Sequence, residues 1–351
     1  MPIQPGCQFA SDNTSGICPD AFEAMAEANH GPAKPYGEDH WTERASDLIR
    51  DLFEVDCDIF FTFNGTAANS LALASMCQSY HSVIAHELAH VETDECGGPE
   101  FFSNGTKLLL VPGENGCVDP DRVAKTVGRR TDVHFPKAKV LSITQSTEVG
   151  TVYDQDALDQ VHETVRRLDL NLHMDGARFA NAVATLGIAP KEVTWKRGVD
   201  VLCFGGTKNG MAVGDCVVFF DRALSAEFEY RCKQAGQLAS KMRYLAAPWV
   251  GLLSDGAWIR NATHANQMAL KLSVGLTKLG LNLAAPVESN AVFVDLPTKV
   301  AAGLRGLGWV FYDFIGVGTS RLMCSWATTD SEVNRFLADA KSQIGSSPVV
   351  A

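Results

Sequence analysis

The sequence holds no long apolar run, no surplus of positive charge, no internal repeat and no paired cysteine motif, and each absence removes a class of protein. No stretch approaches the roughly 20 apolar residues of a membrane-spanning helix. Lys and Arg number 30 against 41 Asp and Glu, a net charge of −11. That balance disfavours nucleic acid or an anionic membrane as partner and suits a protein that handles small molecules. Ten cysteines could form a disulfide framework, yet none stands in a CxxC pair, and Cys7, Cys57, Cys117 and Cys203 lie far apart. Reduced thiols in a cytoplasmic protein are therefore expected, and a thiolate metal cluster is not. The opening MPIQPGCQFASDN lacks the basic segment and apolar stretch of a secretory signal. Low complexity is confined to a short SSPVVA tail, expected to fray.

What is present is an ordinary globular composition, 46% hydrophobic and 20% charged over 351 residues, enough for a large domain and a smaller one. Short apolar runs alternate with amphipathic stretches, the pattern of a mainly parallel sheet covered by helices. Seven strands are expected at 59–63, 82–85, 107–111, 139–144, 170–175, 199–205 and 215–221. Helices should open near Thr66, after Asp119 with Pro120 just inside, and over about 156–168. Beyond residue 250 the texture changes to a long helical pattern over 256–279, strands at 291–296 and 320–326, and a final helix over about 329–344. The expected division is a large α/β domain over 1–250 and a small α+β domain over 251–351, with residues 1–18 extended near the site.

Three polar strings follow strands of the large domain, where ligands of open α/β sheets gather. Asn64-Gly65-Thr66 opens a helix, whose free N–H groups and dipole suit a phosphate. The same string also reads as an ordinary turn capped by Thr66. Asp175, in HMDGAR, puts a carboxylate at a strand tip, as a helix cap or as a partner for a protonated ring nitrogen. Lys208, in GGTKNG, stands among small residues at the mouth of a buried strand; partial burial would make its amine a better nucleophile toward an aldehyde. A lysine on a flexible turn is the alternative. Phosphate turn, acid and lysine in this order are more specific than any one alone. Together they point to an enzyme dependent on pyridoxal 5'-phosphate (PLP).

The strings SDNTSG (11–16), YGEDHWT (36–42), FNGTAAN (63–69), DECGGPEFFSNGTKL (94–108), SITQSTEVGTVY (142–153), LHMDGARFANAV (172–183) and FGGTKNG (204–210) together resemble the fold type I threonine aldolases. Within that family the likeness is to the bacterial low-specificity L-threonine and phenylserine branch. It runs from Phe9 to Leu337. It implies an aspartate aminotransferase-like fold and retro-aldol cleavage of β-hydroxy-α-amino acids to glycine and an aldehyde. It also implies a homo-oligomer, a dimer of dimers with sites at subunit interfaces.

The resemblance places the cofactor-bearing amine at Lys208 and the ring-nitrogen partner at Asp175. Asn64, Gly65, Thr66 and Thr207 fall at the phosphate. Ser11, Arg178 and Arg321 fall at the substrate carboxylate, which a guanidinium can grip through two bonds. His90 matches an imidazole stacked on the cofactor, with His86 a second acid/base candidate. Tyr36 matches a tyrosine reaching a neighbouring subunit's site. Two positions depart from the family. Glu148 replaces a histidine that contacts the substrate hydroxyl, and Ser240 replaces an arginine on the phosphate, with Lys241 beside it as substitute.

Two other reactions and one other class compete. β-Elimination or racemisation would use the same cofactor. His86-Glu87-Leu88-Ala89-His90 matches the HExxH of zinc hydrolases, where two histidines share a helix face. The apparent strand before it and Glu95-Cys96-Gly97-Gly98 after it leave little room for that helix, so no metal is expected.

Overall fold

The computed structural model describes residues 7–314 and 319–345. The SSPVVA tail and the first six residues lie outside it. The large domain holds strands β1 (Asp58–Thr62), β2 (His81–His86), β3 (Lys107–Val111), β4 (Lys137–Thr144), β5 (Asn171–Gly176), β6 (Val201–Gly205) and β7 (Asp215–Phe219). They form one seven-stranded sheet in the order β1-β7-β6-β5-β4-β2-β3. All run parallel except β7, which is antiparallel to both β1 and β6. The reversal follows from chain length: residues 206–214 are too few for the parallel crossover, which needs a dozen or more. Because β7 is reversed, its first residue, Asp215, lies on the same edge of the sheet as the carboxyl ends of the other strands.

β6 and β7 are buried along their whole length, as strands covered on both faces should be. One core packs Phe53, Phe179, Phe204 and Trp249 on one face of the sheet. The other packs Leu71, Leu73, Phe219 and Phe228 beneath the Gly65–Met76 helix. Each fully buried phenylalanine contributes about 2 kcal/mol of apolar transfer.

The small domain is a three-stranded antiparallel sheet, β8 (Ala291–Asp295), β9 (Tyr312–Asp313) and β10 (Thr319–Met323), in the order β8-β10-β9. Helices Thr298–Gly306 and Asp330–Gly345 pack against it. The expected break at residue 250 falls inside the Arg243–Ser254 helix. The change of core comes later, along the Ala257–Lys278 helix. Its Trp258 and Ala262 belong to the large core, while Met268, Leu272 and Leu276 belong to the small one.

The N-terminal segment also divides differently from expectation. Phe9 exchanges backbone hydrogen bonds with the small domain, donating to Val310 O at 2.8 Å and accepting from Met323 N at 2.8 Å. Its ring stacks on Trp309, 5.6 Å between centroids, and meets Phe336 edge-on. Residues 7–9 thus complete the small-domain core. The chain then turns at Ser11 toward the edge of the large sheet.

Candidate active site

The candidate residues stand at the ends of separate strands. Asn64 follows β1, His90 follows β2, Glu148 follows β4, Asp175 closes β5 and Lys208 follows β6. A cavity of about 320 Å³ gathers Asn64, Gly65, Thr66, Asn69, His90, Asp175, Ala177, Thr207, Lys208 and Asp215 with Asn13 from the N-terminal arm.

Asn64, not Thr66, caps the Gly65–Met76 helix, its Oδ1 accepting from Ala67 N at 2.9 Å. Thr66 is therefore released from capping and lines the cavity. The amides of Gly65 and Thr66 belong to the first helical turn and have no acceptor within the helix, so this end of the cavity suits an anion.

Asp175 is buried, with 3% of its surface exposed. Its Oδ1 accepts from Ala177 N at 3.0 Å and its Oδ2 from Asn69 Nδ2 at 3.0 Å. It does not cap the following Phe179–Leu186 helix, whose N-cap position, Arg178, makes no capping bond. A carboxylate held in the cavity by two donors, yet in no ion pair among the described residues, fits a protonated ring nitrogen as its partner.

Lys208 sits in a 3₁₀ turn, Thr207–Asn209, set by close packing. A Cβ on Gly206 would lie 2.4 Å from Met211 Sδ and 2.8 Å from Gly214 O, so only glycine fits. Asp215 Oδ1 accepts from Gly206 N at 2.8 Å and Thr207 N at 3.3 Å, fixing the turn from across the loop. Asn209 Nδ2 bonds Trp258 O and Asn261 Nδ2 bonds Asn209 O, tying the turn to the long helix.

A second cavity of about 360 Å³ shares Asn13, His90 and Lys208 and adds Ser11, Asp94, Glu148, Arg178, Tyr312, Phe314 and Arg321. Arg178 is gripped by Asp12 through Nε at 2.7 Å and Nη2 at 3.1 Å. Burial works to raise the Asp12 carboxyl, but the Arg178 charge and hydrogen bonds outweigh it and hold the group at about 2. Arg321 comes from β10 of the small domain; its Nε is buried with no hydrogen-bond partner among the described residues, and its guanidinium faces the rings of Tyr312 and Phe314. Two arginines, a serine hydroxyl and Lys208 line this one compartment, a donor set suited to a carboxylate next to an amine. His90 lines both cavities. Its Nδ1 lies 2.9 Å from Glu95 Oε1, and that bond holds it above the usual imidazole range, against burial and with help from Asp175 and Glu148.

Three expected residues are not gathered here. His86 closes β2, and its ring is spent on the backbone: Leu88 N donates to Nδ1 at 3.0 Å, and Nε2 lies 3.1 Å from Gly113 O. His86 and His90 share no helix, since His90 opens a separate turn over His90–Thr93. Tyr36 and Lys241 lie on an exposed face outside both cavities, where Tyr36 N donates to Ser240 O and Lys233 Nζ covers the Tyr36 ring. Conversely, Asp12, Asn13, Asn69, Glu95 and Asp215 belong to the site or its supports, although their types and spacing alone did not single them out. SDNTSG, FNGTAAN and DECGGP contain four of them, so a polar residue repeated beside each site string was the available signal.

A family model described as beta-eliminating lyase matches residues 8–299. A low specificity L-threonine aldolase of Pseudomonas sp. (strain NCIMB 10558) is 59% identical over 335 residues, 95% of this chain and 97% of that protein. The low specificity L-threonine aldolase of Pseudomonas aeruginosa is 59% identical over 339 residues, covering 96% and 98%. Among solved structures, a threonine aldolase of Leishmania major superposes with a TM-score of 0.91 at 29% identity, over 96% of this chain and 99% of that one. No helix among the described residues is long and apolar enough to cross a membrane.

Proposed function

The chain belongs to the PLP-dependent fold type I family, in close kinship with the low-specificity L-threonine aldolases, and we propose that its cleft cleaves L-threonine, L-allo-threonine and L-phenylserine to glycine and an aldehyde. When bound, pyridoxal phosphate supplies an electron sink for the pair left on the substrate's α-carbon. The observation that carries the reading is the single cavity lined by Lys208, Asp175 and the Gly65-Thr66 turn, an amine, a buried carboxylate and anion-binding amides in one place. Those three groups fit an aldehyde, a basic ring nitrogen and a phosphate.

Each residue then has a task. Lys208 tethers the aldehyde carbon, and Asp175 keeps the ring nitrogen protonated. Gly65, Thr66 and the Thr207 hydroxyl hold the phosphate, with Asn64 setting the turn. Arg178, Arg321 and Ser11 fix the α-carboxylate and so choose which bond of the α-carbon is weakened. His90 takes the β-hydroxyl proton, and Glu148 faces the β-substituent. The exposed positions of Tyr36 and Lys241, side by side and outside their own cleft, support a homo-oligomer in which each completes a neighbour's site.

The test is the product spectrum. L-Threonine should yield acetaldehyde and glycine in equal amounts. Formation of 2-oxobutanoate and ammonia instead would assign β-elimination and defeat the aldolase reading.

A further inference from the structure

Behind His90 and Asp175 runs a buried polar chain to which the reaction above assigns no task. Asn69, in the second turn of the Gly65–Met76 helix, uses one NH₂ group on two carboxylates, reaching Glu95 Oε1 at 2.8 Å and Asp175 Oδ2 at 3.0 Å. The same Glu95 oxygen faces His90 Nδ1 at 2.9 Å. The Glu95 side chain has no exposed surface, and its Oε2 has no hydrogen-bond partner among the described residues. Removing a carboxylate from water is costly, and a half-partnered one recovers only part of that cost. A glutamine at 95 would keep the shape and fill the same hydrogen-bond positions at lower cost. The carboxylate is thus better suited to a charge that comes and goes than to packing.

We propose that Glu95 is a positioning residue for His90, accepting Nδ1–H so that Nε2 is the nitrogen that takes the substrate proton, and meeting the positive charge that then develops. The inference rests on His90 as the residue that handles that proton. The hydroxyl proton moves to Nε2, the Nδ1 proton stays in its bond to Glu95, and the imidazolium returns to neutral when Nε2 gives its proton to the product. Asn69 ties this pair to Asp175, so the carboxylate serving the histidine and the carboxylate serving the ring nitrogen share one donor. The charged groups facing His90 are Glu95, Asp175, Glu148 and Lys208, and those facing Glu95 are His90 and Asp175.

The experiment compares Glu95→Gln, His90→Asn and the double variant with wild type in the full chain, loaded and free of cofactor. Glu95→Gln should lower kcat for L-threonine about 10- to 100-fold with KM nearly unchanged. It should also move the acid limb of the kcat profile to lower pH, because the imidazole loses the group that favours its cation. The double variant should be no slower than His90→Asn. Carbethoxylation of His90 in cofactor-free protein, followed by peptide mass, reads the same titration without activity, and its midpoint should shift the same way. If Glu95→Gln does not fold, Asn69→Ala carries the test: Glu95 then serves His90 alone, and both midpoints should rise. Unmoved midpoints in the folded variant overturn the proposal and leave Glu95 a structural residue. A His90→Asn enzyme with wild-type kcat overturns the assignment of His90 itself.

Discussion

Replacing Asp12 by asparagine should destabilise the protein by several kcal/mol, although Asp12 carries no chemistry. The side chain is fully buried and holds Arg178 by two bonds of 2.7 and 3.1 Å, with Asn290 Nδ2 donating a third at 3.0 Å. Its carboxyl sits at about 2, against an ordinary value near 3.9, and that difference corresponds to about 2.5 kcal/mol of pH-linked stability. The folded-state value is the depressed one. The contribution is therefore complete above about pH 4 and is lost as pH falls through about 2. Asparagine removes it at every pH and leaves a buried guanidinium unpaired, a penalty of about 3–5 kcal/mol that includes the first figure. Thermal unfolding followed by circular dichroism near neutral pH should show a fall of roughly 4–7 °C. Arg178→Gln added to Asp12→Asn should cost little more, because no charge is then stranded. A midpoint within about 2 °C of wild type, or losses that add in the double variant, would refute the clamp.

Asp175→Ala should slow aldol cleavage by about 10³-fold or more while leaving the fold intact, measured as acetaldehyde release; a near-normal rate would remove its role at the ring nitrogen. Gly206→Ala should cost about 1–3 kcal/mol and displace the lysine turn, because its Cβ would meet Met211 Sδ, Gly214 O and Trp249; lowered cofactor content and midpoint check it. His86→Gln should keep kcat within about threefold while lowering stability, since its ring is bonded to backbone, at Leu88 N and Gly113 O, and to no cavity group among the described residues. Dialysis against a chelator should leave activity intact; loss restored by zinc would revive the HELAH reading.

The strands were legible because short apolar runs stand between amphipathic stretches, and all seven strands of the large sheet lie within two residues of their expected ends. Direction was not legible. A run buried on both faces, such as DCVVF, looks the same in either orientation, and only the short lysine loop shows that β7 turns back. β9 was missed because Tyr312 and Asp313 are exposed and too few to show alternation. Lys208, Asp175 and the Asn64-Gly65-Thr66 turn could be found because each follows its own strand. Asp12, which lies 166 residues from Arg178 in the chain, could not, because a contact of that span is made by tertiary folding. Glu95 was obscured by proximity of another kind: HELAH drew attention to His86, while the partner of His90 lay five residues further on.

Borohydride reduction of the cofactor-loaded enzyme, followed by peptide mass mapping, tests the central assignment most directly. The cofactor should be fixed on the peptide containing Lys208, and Lys208→Ala should show neither the label nor cleavage of L-threonine. A label on any other lysine, or full aldolase activity without Lys208, would contradict it.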